Sequence, residues 1–242
     1  MQYISLGYFC SIAMELEKMG LRSESSPFDW LISDFDGVIS AIETRFEDFL
    51  NPAFLAQNKN NRSHYKNTKY NIEFFHDFNP YASLQDQLQN VQEKYNRRIQ
   101  RFYQSITEPT LFIRYISDVP KSCSGVNEVL WIEKNYASII ALLKSFNEQN
   151  DILFIANDGV TSQKIKIYNV PKDDGDVVAR KPFSKNCSLE EFFNNVDLPE
   201  RERNIERYLA KQQLKRRSKI KRKISSSFKK FFKKEYIHNQ LY

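Results

Sequence analysis

The chain has 242 residues, 36 Lys and Arg against 30 Asp and Glu, and a formal net charge of +6, which is length enough for one large domain or two small ones. Hydrophobic residues at 41% and aromatics at 14% exclude a disordered polyelectrolyte, and six Gly and eight Pro exclude collagen-like or linker-dominated chains. No apolar run approaches the roughly 18–20 residues of a membrane-spanning helix, and residues 1–6 carry no basic-then-apolar leader. Cys10, Cys123 and Cys187 are widely spaced with no C-x-x-C pair, so neither a disulfide framework nor a zinc site is expected, and the expected location is cytoplasmic.

In chain order, residues 2–6 read as a strand, followed by a Gly7 turn and a helix with Ile12, Ala13, Leu16 and Met19 on one face and Gly20 as its stop. Ser26, Pro27 and Asp29 give the cap, first position and box spacing of a second helix, whose apolar positions Trp30, Leu31, Val38, Ile42, Phe46 and Phe49 run towards Pro52 with a break around 34–37. Trp30, Trp131 and the many Phe are expected in the core. The polar, Asn-rich residues 56–71 predict a surface loop, and 70–78 an extended segment. Residues 83–105 keep a helical step, 110–116 form a strand rich in β-branched and aromatic residues, 127–147 a helix, 151–156 a buried strand, 164–170 a strand and 189–196 a short helix. Strands alternating with helices predict an α/β layered domain with a mainly parallel sheet flanked by helices over 1–200, followed by a basic helical tail over 201–242.

The residues with chemistry begin at Cys10, in Ser5-Leu6-Gly7-Tyr8-Phe9-Cys10-Ser11, where a strand hands over to a helix. Free N–H groups and the helix dipole there favour a thiolate, and the same N–H groups suit an oxyanion; against this stands the habit of Cys as a small buried hydrophobe. A thiol nucleophile needs an imidazole base, and of His64, His76 and His238 only His76 lies among strand-like apolar neighbours. No second His or Cys stands at metal-ligand spacing, so no metal is expected. Arg22 and Arg114 are candidates to fork onto a substrate carboxylate or phosphate, although Arg114 interrupts an apolar strand and an internal salt bridge is the expected alternative.

The segments Ser5-Leu6-Gly7-x-x-Cys10, Gly20-Leu21-Arg22-x-x-Ser25-x-Pro27-Phe28-Asp29-Trp30, Phe75-His76-Asp77-Phe78, Tyr95-x-Arg97-Arg98 and Leu111-Phe112-Ile113-Arg114 resemble a bacterial domain of unknown function that is labelled a papain-like cysteine peptidase, over about residues 1–160. The resemblance implies Cys10 as nucleophile and His76 as general base, in the order Cys before His. The local signature of papain around its own Cys is absent here. For the residue that orients the imidazole, Asp29 is preferred and Asp158, which follows a strand, comes second as a residue of an active-site loop.

The charge is uneven. Twelve Lys and Arg and no acid fall within 211–234, so the remaining 24 basic and 30 acidic residues leave a body of −6. Ile220, Ile224, Phe228, Phe231 and Phe232 share a helical stripe opposite most of these cations, the pattern of a helix that lies on an anionic membrane surface, here the inner face. Nucleic acid is the less favoured partner, since no nucleic-acid fold accompanies the tail.

The expected function is therefore a thiol-dependent acyl-transfer enzyme without a cofactor, acting on a peptide or glycan. Two alternatives stand beside it. One is a CoA-thioester-dependent acyltransferase of cell-surface polysaccharide biosynthesis, which the resemblance implies because some members of that family lie among polysaccharide-biosynthesis genes. The other is a non-catalytic scaffold holding a glycan-synthesis complex at the membrane.

Overall fold

The computed structural model describes residues 1–116 and 127–238. Cys123 lies outside them, and so do the side chains of the tail's Ile/Phe stripe. The elements in order are β1 (Gln2–Ser5), α1 (Ser11–Lys18), β2 (Leu31–Ser33), α2 (Phe35–Glu43), β3 (Leu55–Gln57), β4 (Tyr65–Asn67), β5 (Ile72–Phe74), α3 (Leu84–Ser105), β6 (Thr110–Ile116), α4 (Glu128–Lys144), β7 (Asp151–Asn157), β8 (Ile167–Val170), α5 (Cys187–Asn194) and α6 (Arg201–His238).

Four strands form an all-parallel sheet in the order β1-β6-β7-β8, with Ile4 opposite Phe112 and Arg114 opposite Phe154. Each successive strand is added on the same side, so right-handed crossovers put α3 and α4 on one face. The period of two along β6 then divides the core. Phe112 and Ile116 join the α2, α3 and α4 side chains, while Ile113 and Tyr115 pack with α1, α5 and Phe183 on the other face. The expected α/β layering with a mainly parallel sheet is what the chain forms.

A second, antiparallel sheet, β2-β5-β4-β3, packs into the first of these cores and was not expected. Where the polar loop was predicted, β3 and β4 make a hairpin around residues 58–64; Tyr65 and Asn67 turn inward, and the Asn67 amide donates to the carbonyls of Asp48 (2.8 Å) and Phe49 (3.1 Å). The predicted second helix is also corrected. Asp29 does reach back to the Ser26 N–H (2.8 Å), the box bond, but the turn over 27–30 runs into β2, and the helix starts only at Phe35. Trp131 packs edge-to-face on Phe35, whereas Trp30 is half-buried and belongs to neither core.

α1 ends as its sequence predicts. Gly20 adopts φ +71°, and the Leu21 N–H returns to the Leu16 carbonyl (2.9 Å). A Cβ at Gly20 would sit 2.4 Å from the Arg201 carbonyl oxygen, because α6 starts here against α1. Arg201 donates to the carbonyls of Met19 (3.1 Å), Val196 (2.6 Å) and Phe193 (3.0 Å), Asn204 to Gly20 (3.1 Å), and Lys211 pairs with Glu17 (2.6 Å). The first turns of α6 are thus fastened to the body. Among the described residues no helix is long and apolar enough to cross a membrane.

Candidate active site

β1 ends in a turn held from three sides. Gly7 takes φ +80°, its N–H donates to Ser5 Oγ (3.3 Å) and its carbonyl accepts from Tyr115 N–H (3.3 Å). A side chain at Gly7 would meet Ser33 Oγ at 2.6 Å and Arg114 Nη1 at 3.3 Å, so both the conformation and the space call for glycine. Three residues later Cys10 caps α1, accepting the Met14 N–H on its carbonyl (3.0 Å). It therefore stands at the C-terminal edge of the parallel sheet, where open α/β sheets place their ligands. The thiol is half-buried. Burial raises its pKa above the ordinary value, and the opposing bond from its own backbone N–H is the weaker effect. Burial therefore works against the lowering expected from the helix terminus.

Arg114 is fully buried, and its five N–H groups meet five acceptors: Glu128 Oε1 (2.9 Å) and Oε2 (2.8 Å), Leu6 O (2.8 Å), Ser33 Oγ (3.0 Å) and Ser33 O (2.6 Å). No donor remains for a substrate anion. The internal salt bridge, not the substrate-binding role, describes this residue: it ties β1, β2, β6 and α4 together beneath the Gly7 turn.

His76 is exposed on the bend after β5, and among the described residues its ring has no hydrogen bond or ion pair. Phe74 opposes Leu31 across the β2–β5 ladder, so His76 lies towards the Asp29 end of β2. Its neighbour Asp77 bonds Lys94 and the Tyr95 hydroxyl (3.0 Å). No hydrogen bond joins Cys10, His76 and Asp29 to one another.

Asp29 is completely buried and its Oδ2 is held by Arg22, whose side chain is 8% exposed. Burial raises the Asp29 pKa, with Arg22 and the Ser26 N–H opposing. The two residues line a cleft of about 390 Å³ against β1 and the C-terminal half of α3, with Ser26 and Arg101. Arg101 was missed from sequence; its three-residue step from Arg98 on a helix was the available signal. Cys10 and His76 do not line this cleft.

Asp158 is exposed at the end of β7, its N–H donating to Val170 O (3.1 Å). It shares the C-terminal edge of the sheet with Cys10, but β6 intervenes, which puts the two strand axes about 10 Å apart. Cys187 is exposed at the start of α5, and among the described residues no group of three or more His, Cys, Asp or Glu could hold a metal.

An uncharacterized protein, R408, of Acanthamoeba polyphaga mimivirus is 35% identical over 121 residues, 42% of this chain and 54% of its own length, so the chain spans about half of this curated relative. No solved structure matches the chain. Residues 1–138, which contain Cys10, the Arg22–Asp29 pair, His76 and Arg114, match the family described as "Putative papain-like cysteine peptidase (DUF1796)", and the chain belongs to that family.

Proposed function

We propose that this protein is a thiol-dependent acyl-transfer enzyme of the hydrolytic, peptidase kind, with Cys10 as nucleophile and His76 as its base. The observation that carries the proposal is the placement of Cys10, half-buried at the head of α1 immediately after the turn that Ser33 and Arg114 hold. The segments that carry the two residues both border the 27–30 turn. A Cβ built on Gly7 would lie 3.7 Å from the Phe28 carbonyl oxygen, and β2, entered just after Trp30, pairs with the strand that leads to His76.

In the reaction His76 takes the thiol proton, Sγ bonds the substrate carbonyl carbon, and the N–H groups of the first turn of α1 receive the oxyanion. The amine leaves with the proton from His76, and water then splits the thioester. Burial disfavours a free thiolate at Cys10, which gives the base its role in the attack. Reaction with p-nitrophenyl acetate followed by mass spectrometry tests the proposal. An acetyl group trapped on Cys10 and absent in Cys10→Ser is the expected result; acetylation of Cys187 alone refutes it. Saturable CoA binding would move the reading to transfer from an acyl-CoA.

The segment 211–234 fits a handle for an anionic membrane surface. It lies in α6, whose 38 residues extend about 57 Å, far beyond the turns fastened to α1, and it carries twelve cations and no acid.

A further inference from the structure

Among the described residues β3 pairs only with β4, so the antiparallel sheet ends in a free strand edge. The chain around it is charged unlike the rest of the body. Between residues 49 and 72 stand Lys59, Arg62, Lys66 and Lys69 and no acid, within a body of −6. Lys69 is paired with Asp48 (2.6 Å), and Lys66 stands opposite Glu73 in the ladder. Lys59 and Arg62 are exposed on the hairpin, and among the described residues neither side chain has an ion pair.

The phase of the pairing decides which backbone groups of β3 remain for a partner. The Asn58 N–H donates to the His64 carbonyl (2.9 Å) and the Thr68 N–H to the Phe54 carbonyl (2.9 Å). Phe54, Ala56 and Asn58 therefore face β4, while Leu55 and Gln57 turn their backbone groups to the free edge. The Leu55 N–H is spent on the Pro52 carbonyl, which leaves the Leu55 carbonyl and both groups of the exposed Gln57. A groove of about 610 Å³ borders this edge, and its lining repeats the alternation: Leu55 and Gln57 belong to it and Ala56 does not. The facing wall is the start of α3 and the loop before it, with Ser83, Gln85 and Tyr81, whose ring is 96% exposed. Both walls are fixed by their own bonds. On the hairpin, Asn58 Oδ1 accepts the Asn60 N–H (2.8 Å) and Gln57 Nε2 donates to the Arg62 carbonyl (2.7 Å). Across the groove, Gln87 accepts the Asn79 N–H (2.6 Å) and donates to the Ala82 carbonyl (3.1 Å). Such pre-organisation lowers the ordering cost of binding. Arg62 is the charged residue of the lining, and the flanking Lys59 and Asp86 balance one another, which leaves one positive charge.

We propose that this groove binds an extended peptide segment by strand addition to β3, with an acidic side chain of the peptide on Arg62 and an apolar neighbour against the Tyr81 ring. In strand addition the main-chain bonds supply affinity and the side-chain contacts supply choice. The edge is what selects a peptide, because a sugar has no alternating N–H and C=O to offer Gln57 and Leu55. One surplus cation is too few for the phosphate track of a nucleic acid. The strand is three residues long and has cations beside it, features that keep an edge from pairing with copies of itself. Neither Cys10 nor His76 lines the groove, so it is a recognition site and stands whether or not Cys10 is a nucleophile.

The test titrates full-length ¹⁵N-labelled protein with the capped peptide acetyl-Thr-Val-Glu-Val-Thr-amide and follows the backbone amides of Gln57, Arg62 and Gln85. The peptide is expected to move them saturably, with Gln57 shifting downfield as its N–H gains an acceptor. The same peptide N-methylated at Val and Glu should leave them in place. A version with Lys for Glu should bind about fivefold more weakly, and Arg62→Gln should weaken the Glu peptide about threefold at unchanged Tm, the scale of one exposed charge contact. Gln57→Pro removes the N–H that faces the edge and none that faces β4, so it should abolish binding. Its Tm and the N-methylated peptide on wild type separate a lost edge from a lost fold. Shifts confined to residues 211–238, equal binding of the plain and N-methylated peptides, equal binding of the Glu and Lys peptides, undiminished binding by Arg62→Gln, or movement of the Gln57 amide by maltotriose and not by the peptide would each overturn the proposal.

Discussion

The Arg114 guanidinium forks onto the Glu128 carboxylate, Nε to Oε1 at 2.9 Å and Nη2 to Oε2 at 2.8 Å, with the arginine side chain fully buried and the glutamate 8% exposed. Two charges taken out of water together are stable only while both remain. Glu128→Ala, which leaves the guanidinium unpaired, is expected to cost about 3–5 kcal/mol in denaturant unfolding. Changing Arg114 to Met in the same protein should recover part of that loss, and a double-mutant cycle measures how much.

Gly7 couples this salt bridge to the thiol. With φ +80° and Ser33 Oγ 2.6 Å from any added Cβ, Gly7→Ala is strained in backbone and in space. It should destabilise the fold by roughly 2 kcal/mol and slow acetylation of Cys10 more than that of the distant, exposed Cys187. Equal slowing at both cysteines would separate the turn from the site.

Two buried carboxyls give stability a pH dependence. Burial raises Glu15, whose Oε2 accepts the Phe183 N–H (2.6 Å), from 4.5 to about 7, and it raises Asp34 to about 6, helped by Asp36 and Glu128. Between about pH 4.5 and 7 the folded chain holds protons that the unfolded chain has released, so stability falls as pH rises through that window. The Glu15 share is at most about 3 kcal/mol. Denaturant unfolding at the two ends of the window should show the fall in wild type and a smaller fall in Glu15→Gln.

The tail is tested by liposome co-sedimentation. Full-length protein should bind vesicles rich in phosphatidylserine, release at high salt, and ignore neutral vesicles; a chain ending at residue 210 should not bind. Equal binding by the truncated chain refutes the handle, and salt-sensitive binding to duplex DNA in preference to vesicles moves the tail's partner to nucleic acid.

The parallel sheet was legible because β6 and β7 are seven-residue strands built mostly of β-branched, aromatic and other apolar residues, long enough for composition to separate them from helices, and because α3 keeps its helical step for 22 residues from a Ser83 cap. The antiparallel sheet was not, because β2, β3, β4 and β5 are three residues each, too short for a period of two to register. β2 also carries apolar residues that serve a helix pattern equally well, and tertiary contacts decide between the two: the Ser33 carbonyl accepts from Arg114 (2.6 Å). At the site, the strand–Gly–x–x–Cys–helix order located Cys10. What it concealed was the balance of forces on the thiol, since burial comes from packing and is not written in the local sequence. The cleft at the β1 edge was half visible, in Arg22 and Asp29; its other wall comes from α3, some 70 residues away, and only the fold brings it near.

The proposed reaction needs His76 to take the Cys10 proton, and the rate of Cys10 acetylation by p-nitrophenyl acetate against pH, in wild type and in His76→Ala, tests that step. In wild type the rate should show a rising limb at a pH well below the raised pKa of the thiol itself, because the base takes the proton as Sγ attacks. His76→Ala should lose that limb and keep only the alkaline rise of the unassisted thiolate. Superimposable profiles for the two proteins would contradict the assignment of His76 as the base.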